Sequence, residues 1–197
     1  MRVHIQLAFA AALLVCASGT AAAQGASQGA GKVGLTMGFP AAVGIQWHLS
    51  DKVAIRPEIS FSSTSSETSS NSFETDGDSW TVGTNISALF YLSTDDKLRT
   101  YLSPRFSWSH ASSTSALSSA LVNPITGVTI SEAKTTGEGY GFAGSFGAQY
   151  GLGDRFVVFG ELGLNYAHGT TKSNTTSVKT TSNGWGTRTA VGIVFYP

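Results

Sequence analysis

Few residues in this 197-residue chain have a type and spacing that could do chemistry, and they form three groups. In His110-Ala111-Ser112 an imidazole base stands two positions from a hydroxyl. A serine nucleophile needs such a base beside it and a third group to orient that base. The nearest downstream acid is Glu132, in a segment the strand pattern does not place. Serine is so frequent here that the His-x-Ser spacing is expected by chance, so no catalytic residue is assigned. Asp76-Gly77-Asp78 is too short a carboxylate cluster to define a calcium loop and reads as a turn. His48 and His110 are predicted at opposite ends of the fold, and His168 at a polar rim, so no metal site is assigned. The third group is Arg56, Glu58, Arg105, Glu161 and Arg188, charges of both signs set singly into otherwise apolar runs. No phosphate loop or dinucleotide fingerprint occurs, and no cofactor is expected.

The elements that would position these residues begin after a leader. Met1-Arg2 gives a positive start, residues 5–16 are nearly all apolar, and Ala21-Ala22-Ala23 precedes Gln24 as a small-x-small cleavage site. The apolar run is too short to span a bilayer comfortably. Residues 1–23 are therefore expected to be a signal peptide, cleaved near Ala23, with 24–31 a flexible segment and 32–197 one domain. Val15 precedes Cys16 where a lipoprotein signal wants a small residue. Cleavage would remove the single cysteine, which excludes disulfides and thiolate metal sites from the mature chain. Lys plus Arg and Asp plus Glu number 12 each, so there is no basic footprint for nucleic acid. Abundant Gly, Ser and Thr could describe a disordered linker, but the aromatics spaced through alternating runs argue against it.

Alternation of apolar with small or polar residues recurs about eight times, and it predicts strands. The first has Val33, Leu35, Met37 and Phe39 on one face, and after a tight Pro40-Ala41 connection the second has Val43, Ile45, Trp47 and Leu49 against Gly44, Gln46 and His48. The third sets Val53, Ile55, Pro57, Ile59 and Phe61 against Arg56, Glu58 and Ser60. Further strands are predicted over 80–92, 102–109, 140–150, 156–166 and 185–195. None of the apolar faces carries a charge. A soluble β-sandwich would pack such faces together, whereas a membrane barrel turns them to lipid and its other face to a polar lumen. Closure is required because an open edge would leave backbone groups unsatisfied in lipid. The expected fold is all-β: an eight-stranded antiparallel up-and-down transmembrane β-barrel, preceded by a signal peptide.

An internal echo fixes the register. Pro57-Glu58-Ile59-Ser60-Phe61-Ser62 recurs as Pro104-Arg105-Phe106-Ser107-Trp108-Ser109 and, more loosely, as 160–165. These are the third, fifth and seventh strands, which run the same way. Glu58, Arg105 and Glu161 are thus expected at similar height inside the barrel, and Arg56 and Arg188 are inward by parity. An eight-stranded lumen is filled by side chains, and unpaired buried charges are costly, so these five are expected to pair.

Connections after even strands are short (50–52, 93–99, 151–154), and those after odd strands are long and Ser/Thr-rich (62–79, 111–138, 168–183). Short periplasmic turns with longer external loops are the asymmetry of outer-membrane barrels. Trp80, Trp108, Tyr166 and Trp185 are predicted near the external ends. Trp47, Phe90, Tyr150, Phe156 and Phe195 are predicted near the periplasmic ends, and the two sets form aromatic girdles.

On this strand pattern, the segment from Trp47 through Glu58 and the aromatic last strand, the region 32–197 resembles the outer-membrane β-barrel-domain proteins, the group that includes small OmpA/OmpX-type barrels. Phe195-Tyr196-Pro197 departs from that group's terminal aromatic, and Pro40-Ala41 is shorter than its usual first external loop. No wall-anchoring domain is expected after the last strand. The resemblance implies a monomer in the bacterial outer membrane, in contact with membrane lipid and lipopolysaccharide, with a structural or surface-interaction role and surface ligands reached through the long loops. A small porin-like channel is the alternative, though inward Arg and Glu suggest a plug. A second alternative is a lipid A-modifying enzyme, since one barrel deacylase family uses a His-x-Ser pair with a carboxylate. Pro124 stands near where that carboxylate would be, and the expectation is a protein that is not an enzyme.

Overall fold

The computed structural model describes residues 29–40, 42–70, 73–93, 97–119, 131–174 and 178–197, with the backbone alone for 68–70, 73–75, 116–119, 131 and 132. The expected signal peptide with Cys16, residues 24–28, Ala41 and Pro124 lie outside the described residues, as does the Glu132 side chain. Eight strands follow in chain order: β1 (Val33–Phe39), β2 (Ala42–Ser50), β3 (Val53–Ser70), β4 (Phe73–Tyr91), β5 (Leu98–Ser119), β6 (Ser131–Gly151), β7 (Phe156–Ser173) and β8 (Lys179–Phe195). Each pairs antiparallel with the next, and β8 returns to β1 with Leu35 opposite Phe195 and Phe39 opposite Val191, closing the barrel.

Parity decides which side each residue takes. Along β2, Val43, Ile45, Trp47 and Leu49 are exposed while Gly44, Gln46 and His48 are buried, and the same division runs round the ring. The large apolar side chains are outside and the polar ones inside, the reverse of a water-soluble protein. The rings of Phe106 and Phe142, 5.2 Å apart, and of Phe156 and Phe195, 5.0 Å apart, therefore pack on the exterior, not between two sheets as a β-sandwich would have it. On β5 the outward apolar set runs from Leu98 to Trp108. About ten residues at ~3.4 Å each, tilted roughly 40°, rise ~26 Å, which matches an apolar band of about 25 Å.

The three long Ser/Thr-rich segments differ from the expectation. They are not loops: most of 62–79, 111–138 and 168–183 is strand. Ser62 pairs with Thr81, Thr64 with Ser79 and Thr114 with Lys134, so the ladders continue beyond the apolar belt. Backbone pairing needs no lipid-facing residue, and β-branched Thr suits a strand. The apolar alternation stops because both faces of these hairpins meet water. Asp76-Gly77-Asp78 is part of β4, opposite Ser66 and its neighbours, not a turn before it. Trp80, Trp108, Tyr166 and Trp185 consequently lie mid-strand, at the upper rim of the belt rather than at strand ends.

The wall is not uniform in height. β1 and β2 are short, and their ladders end at Phe39–Val191 on one side and Val43–Ile59 on the other. Among the described residues, β8 above Val191 and β3 above Ile59 have a strand partner on one side only. The barrel is thus notched over the β1–β2 hairpin, next to three tall hairpins.

Inside, large rings lie over glycines of the adjoining strand. Tyr101 is fully buried opposite Gly147, and Phe159 opposite Gly192, where an added Cβ would come within 2.6 Å of the Phe159 ring. Lumen volume decides these positions. Gly147→Val is expected to drive a branched side chain into the Tyr101 ring and lower stability by ~1–3 kcal/mol. At the lipid-facing Gly144 nothing lies within 4 Å of an added Cβ, and Gly144→Val should leave it unchanged. Urea midpoints of the two variants, refolded in the same detergent, check the contrast.

Candidate functional site

Among the described residues, the lumen is where the strands bring charged side chains together under cover. Arg56 and Glu58 come from β3, Arg105 from β5, Glu161 from β7 and Arg188 from β8, each inward by parity. All five meet in a single network. Arg56 pairs with Glu161, and its Nε lies 3.7 Å from Glu58 Oε1. Arg105 reaches Glu58 Oε2 at 2.6 Å, and Arg188 Nη1 reaches Glu161 Oε2 at 2.5 Å and donates to Ser145 Oγ at 3.1 Å. Tyr101 donates its hydroxyl to Glu161 at 3.0 Å. The Arg56 guanidinium also lies 4.5 Å from the centre of the Phe159 ring, a cation–π distance. Three guanidinium groups against two carboxylates leave the network one positive charge.

Below it, at the short-turn end, a second layer built largely of amide, tyrosine and histidine side chains closes the lumen. Gln46 Nε2 donates to the hydroxyls of Tyr91 and Tyr196, both at 3.1 Å. Tyr91 donates to Gln149 Oε1 at 2.9 Å, and Gln149 returns a bond to Gln46 Oε1 at 3.0 Å. His48 Nε2 lies 2.9 Å from the Tyr196 hydroxyl and its ring stacks on Tyr91. Arg99 stands over the Tyr91 ring, 4.2 Å from its centre, and donates to the Asp51 carbonyl. Every one of these side chains is buried.

Sequence reasoning places Gln46 and His48 inward but misses the layer they form with Tyr91 and Gln149. It misses Tyr101 and Arg99 altogether, although both continue the inward parity of Ser103 and Arg105. In the sequence Tyr196 stands out only as part of an unusual chain end; one residue past β8, it turns into the lumen.

The exterior candidates sit elsewhere. His110 and Ser112 are on the outward parity of β5, with His110 between the rings of Trp80 and Trp108 at 5.4 and 6.3 Å. Glu138, across the ladder on β6, brings Oε1 to 3.7 Å from His110 Nδ1, a carboxylate the sequence spacing does not reveal. Among the described residues no hydrogen bond joins Ser112 to His110. His168 also faces outward and stacks on Tyr140 at 4.9 Å. The girdle residues Trp47, Trp80, Trp108, Tyr150 and Trp185 are exposed and Tyr166 and Phe195 half-buried, with Tyr166 against Trp185 at 5.3 Å. His48 and His110 are at opposite ends, and no group of three or more metal-binding side chains occurs among the described residues.

No protein-family model matches the chain, and no curated protein matches it. Among solved structures the chain is similar to Acinetobacter baumannii CarO, with 15% identity over 87% of this chain and 99% of that one and a TM-score of 0.44. It is similar to a major outer membrane protein from Thermus thermophilus, with 13% identity over 83% of this chain and 98% of that one and a TM-score of 0.45. It is also similar to Ail, the attachment invasion locus protein of Yersinia pestis, with 11% identity over 83% of this chain and 94% of that one and a TM-score of 0.35.

Proposed function

We propose that the chain is an integral barrel of the bacterial outer membrane whose lumen does not conduct and whose role is structural or surface-interacting, with no catalysis. The observation that carries this reading is the buried amide–tyrosine–histidine layer at the short-turn end, stacked under the ion-pair network. A continuous water column has no path through two such layers. The tall hairpins β3–β4, β5–β6 and β7–β8 then supply the surface available to partners. One chain completes the ring, which supports a monomer.

Lipopolysaccharide is the lipid partner this surface suits. Lys134, Lys172 and Lys179 are exposed on β6, β7 and β8, each six residues beyond a girdle ring, Tyr140, Tyr166 or Trp185. Lys172 stands directly opposite Lys179. Like charges in that relation are destabilising unless an anion lies between them, and the phosphates of an outer-leaflet glycolipid would relieve the pair. His110, held between two tryptophan rings, has its acid partner but no bonded hydroxyl, which supports a place in the girdle.

Three measurements test this reading. Cell fractionation should recover the protein in the outer membrane, with a heat-dependent shift in gel mobility, and planar bilayers should show no steady channel. Soluble recovery without a shift would overturn the barrel in its membrane, and reproducible conductance steps would favour the small channel instead. Glu161→Leu removes a shared partner of Arg56 and Arg188, and the urea midpoint should fall by the equivalent of about 3–5 kcal/mol; Glu58→Leu should fall in the same direction. An unchanged midpoint in both would deny the network a structural role. Reversing Lys172 and Lys179 to Glu should lower the lipopolysaccharide that co-purifies with the folded barrel, and equal amounts would remove this partner assignment.

A further inference from the structure

Above the ion pairs the lumen widens into a cavity of about 840 Å³ on the long-hairpin side. Arg56, Arg105, Arg188 and Glu58 line it, with Asn85, Ser107 and Asn165 among the polar walls; Glu161 does not. Among the described residues two guanidiniums, Arg105 and Arg188, and the Glu58 carboxylate thus reach this space, with Arg56 buried behind them. The partners of these arginines leave donors over. Arg188 uses Nη1 for both Glu161 and Ser145. Arg56 is fully buried, and its Nη1 has no hydrogen-bond partner among the described residues. A buried donor without an acceptor is costly, and a guanidinium favours planar, two-oxygen acceptors.

The cavity also borders the notch in the wall. Its lining includes Gly38, Phe39, Pro40 and Ala42 at the tip of the β1–β2 hairpin and Thr187, Thr189 and Val191 at the adjoining edge of β8. These residues frame the notch where the wall is low. The notch reaches down to Val191, six residues along β8 from the girdle ring Trp185. The space can therefore be entered from the upper part of the membrane belt as well as from above.

We propose that this cavity is a binding site for an anion bearing a phosphate or carboxylate group, received by Arg105 and Arg188 with Arg56 beneath them. Its size is that of pockets for small molecules, roughly 300–1,000 Å³, and well beyond that needed for a bare ion. Two guanidiniums against one carboxylate, with a third guanidinium behind them, favour an anion over a cation as the occupant. Charges partly buried in such a recess are screened by salt less than exposed pairs are. The same chemistry would accept a soluble anion entering from above or a lipid headgroup entering through the notch. The inference needs the folded barrel but not the surface role of the hairpins.

The test is titration calorimetry on the refolded full-length barrel in a zwitterionic detergent at low salt, with citrate, inorganic phosphate and, as cationic control, choline. Phosphatidylglycerol in mixed micelles, against phosphatidylcholine, forms the lipid arm. Saturable binding of citrate or phosphate marks a soluble ligand, and binding of phosphatidylglycerol alone marks a headgroup. Arg188→Gln should weaken whichever is bound by about tenfold or more. Ser107→Asp adds a carboxylate to the wall without touching an ion pair, and it should weaken binding comparably while the heat-dependent gel shift persists. If Arg188→Gln does not fold, Ser107→Asp decides. The proposal fails if no anion binds saturably, if choline binds equally well, or if Ser107→Asp binds as the wild type does.

Discussion

Backbone groups in a bilayer have no water to bond to, so the ladder must close on itself, and everything else in this molecule follows from that closure. Eight strands make a ring whose interior side chains can fill, or that leaves room for one small ligand. Each inward position must therefore fit its neighbours across the lumen. That is why rings lie over glycines, as Tyr101 over Gly147 and Phe159 over Gly192, and why the charges come in partnered sets. The inverted exterior is the same constraint seen from outside: once the ladder is satisfied internally, lipid selects only the outward side chains.

The two ends of the lumen solve the filling problem differently. The short-turn end uses neutral donors and acceptors in near-reciprocal pairs, Gln46 with Gln149 and Tyr91 with both. The middle uses ions, and two carboxylates among three guanidiniums cannot neutralise it. A closed floor below and a polar, positively biased chamber above give the barrel a direction, a property that its up-and-down topology alone would not supply.

Much of this is legible in the sequence because the side-chain period of a strand is two, so one apolar run fixes the side of every residue in it. The inward places of Arg56, Glu58, Arg105, Glu161 and Arg188 follow from that parity and from the echo between 57–62 and 104–109. The pairings do not: Arg56 and Glu161 stand 105 residues apart, and no local pattern records which strand they face across the lumen. The extent of the hairpins is hidden for a different reason. Parity is visible only where one face meets lipid, and above the girdle the described side chains at 63–67 are exposed on successive positions. His110 is visible as a motif, but its carboxylate, Glu138, comes from the neighbouring ladder.

The position of Tyr196 has a consequence for how the molecule reaches this state. Among the described residues the seam between β1 and β8 pairs the strands farthest apart in sequence, and such contacts form late because loop-closure entropy opposes them. Tyr196 lies one residue beyond β8, and its hydroxyl meets Gln46 and His48 on β2. It acts as a latch: this side chain, just past the final strand, reaches its socket on β2 only when the ring shuts. Closing the wall and sealing the lumen are then one event, so no half-assembled barrel with an open seam carries a finished plug.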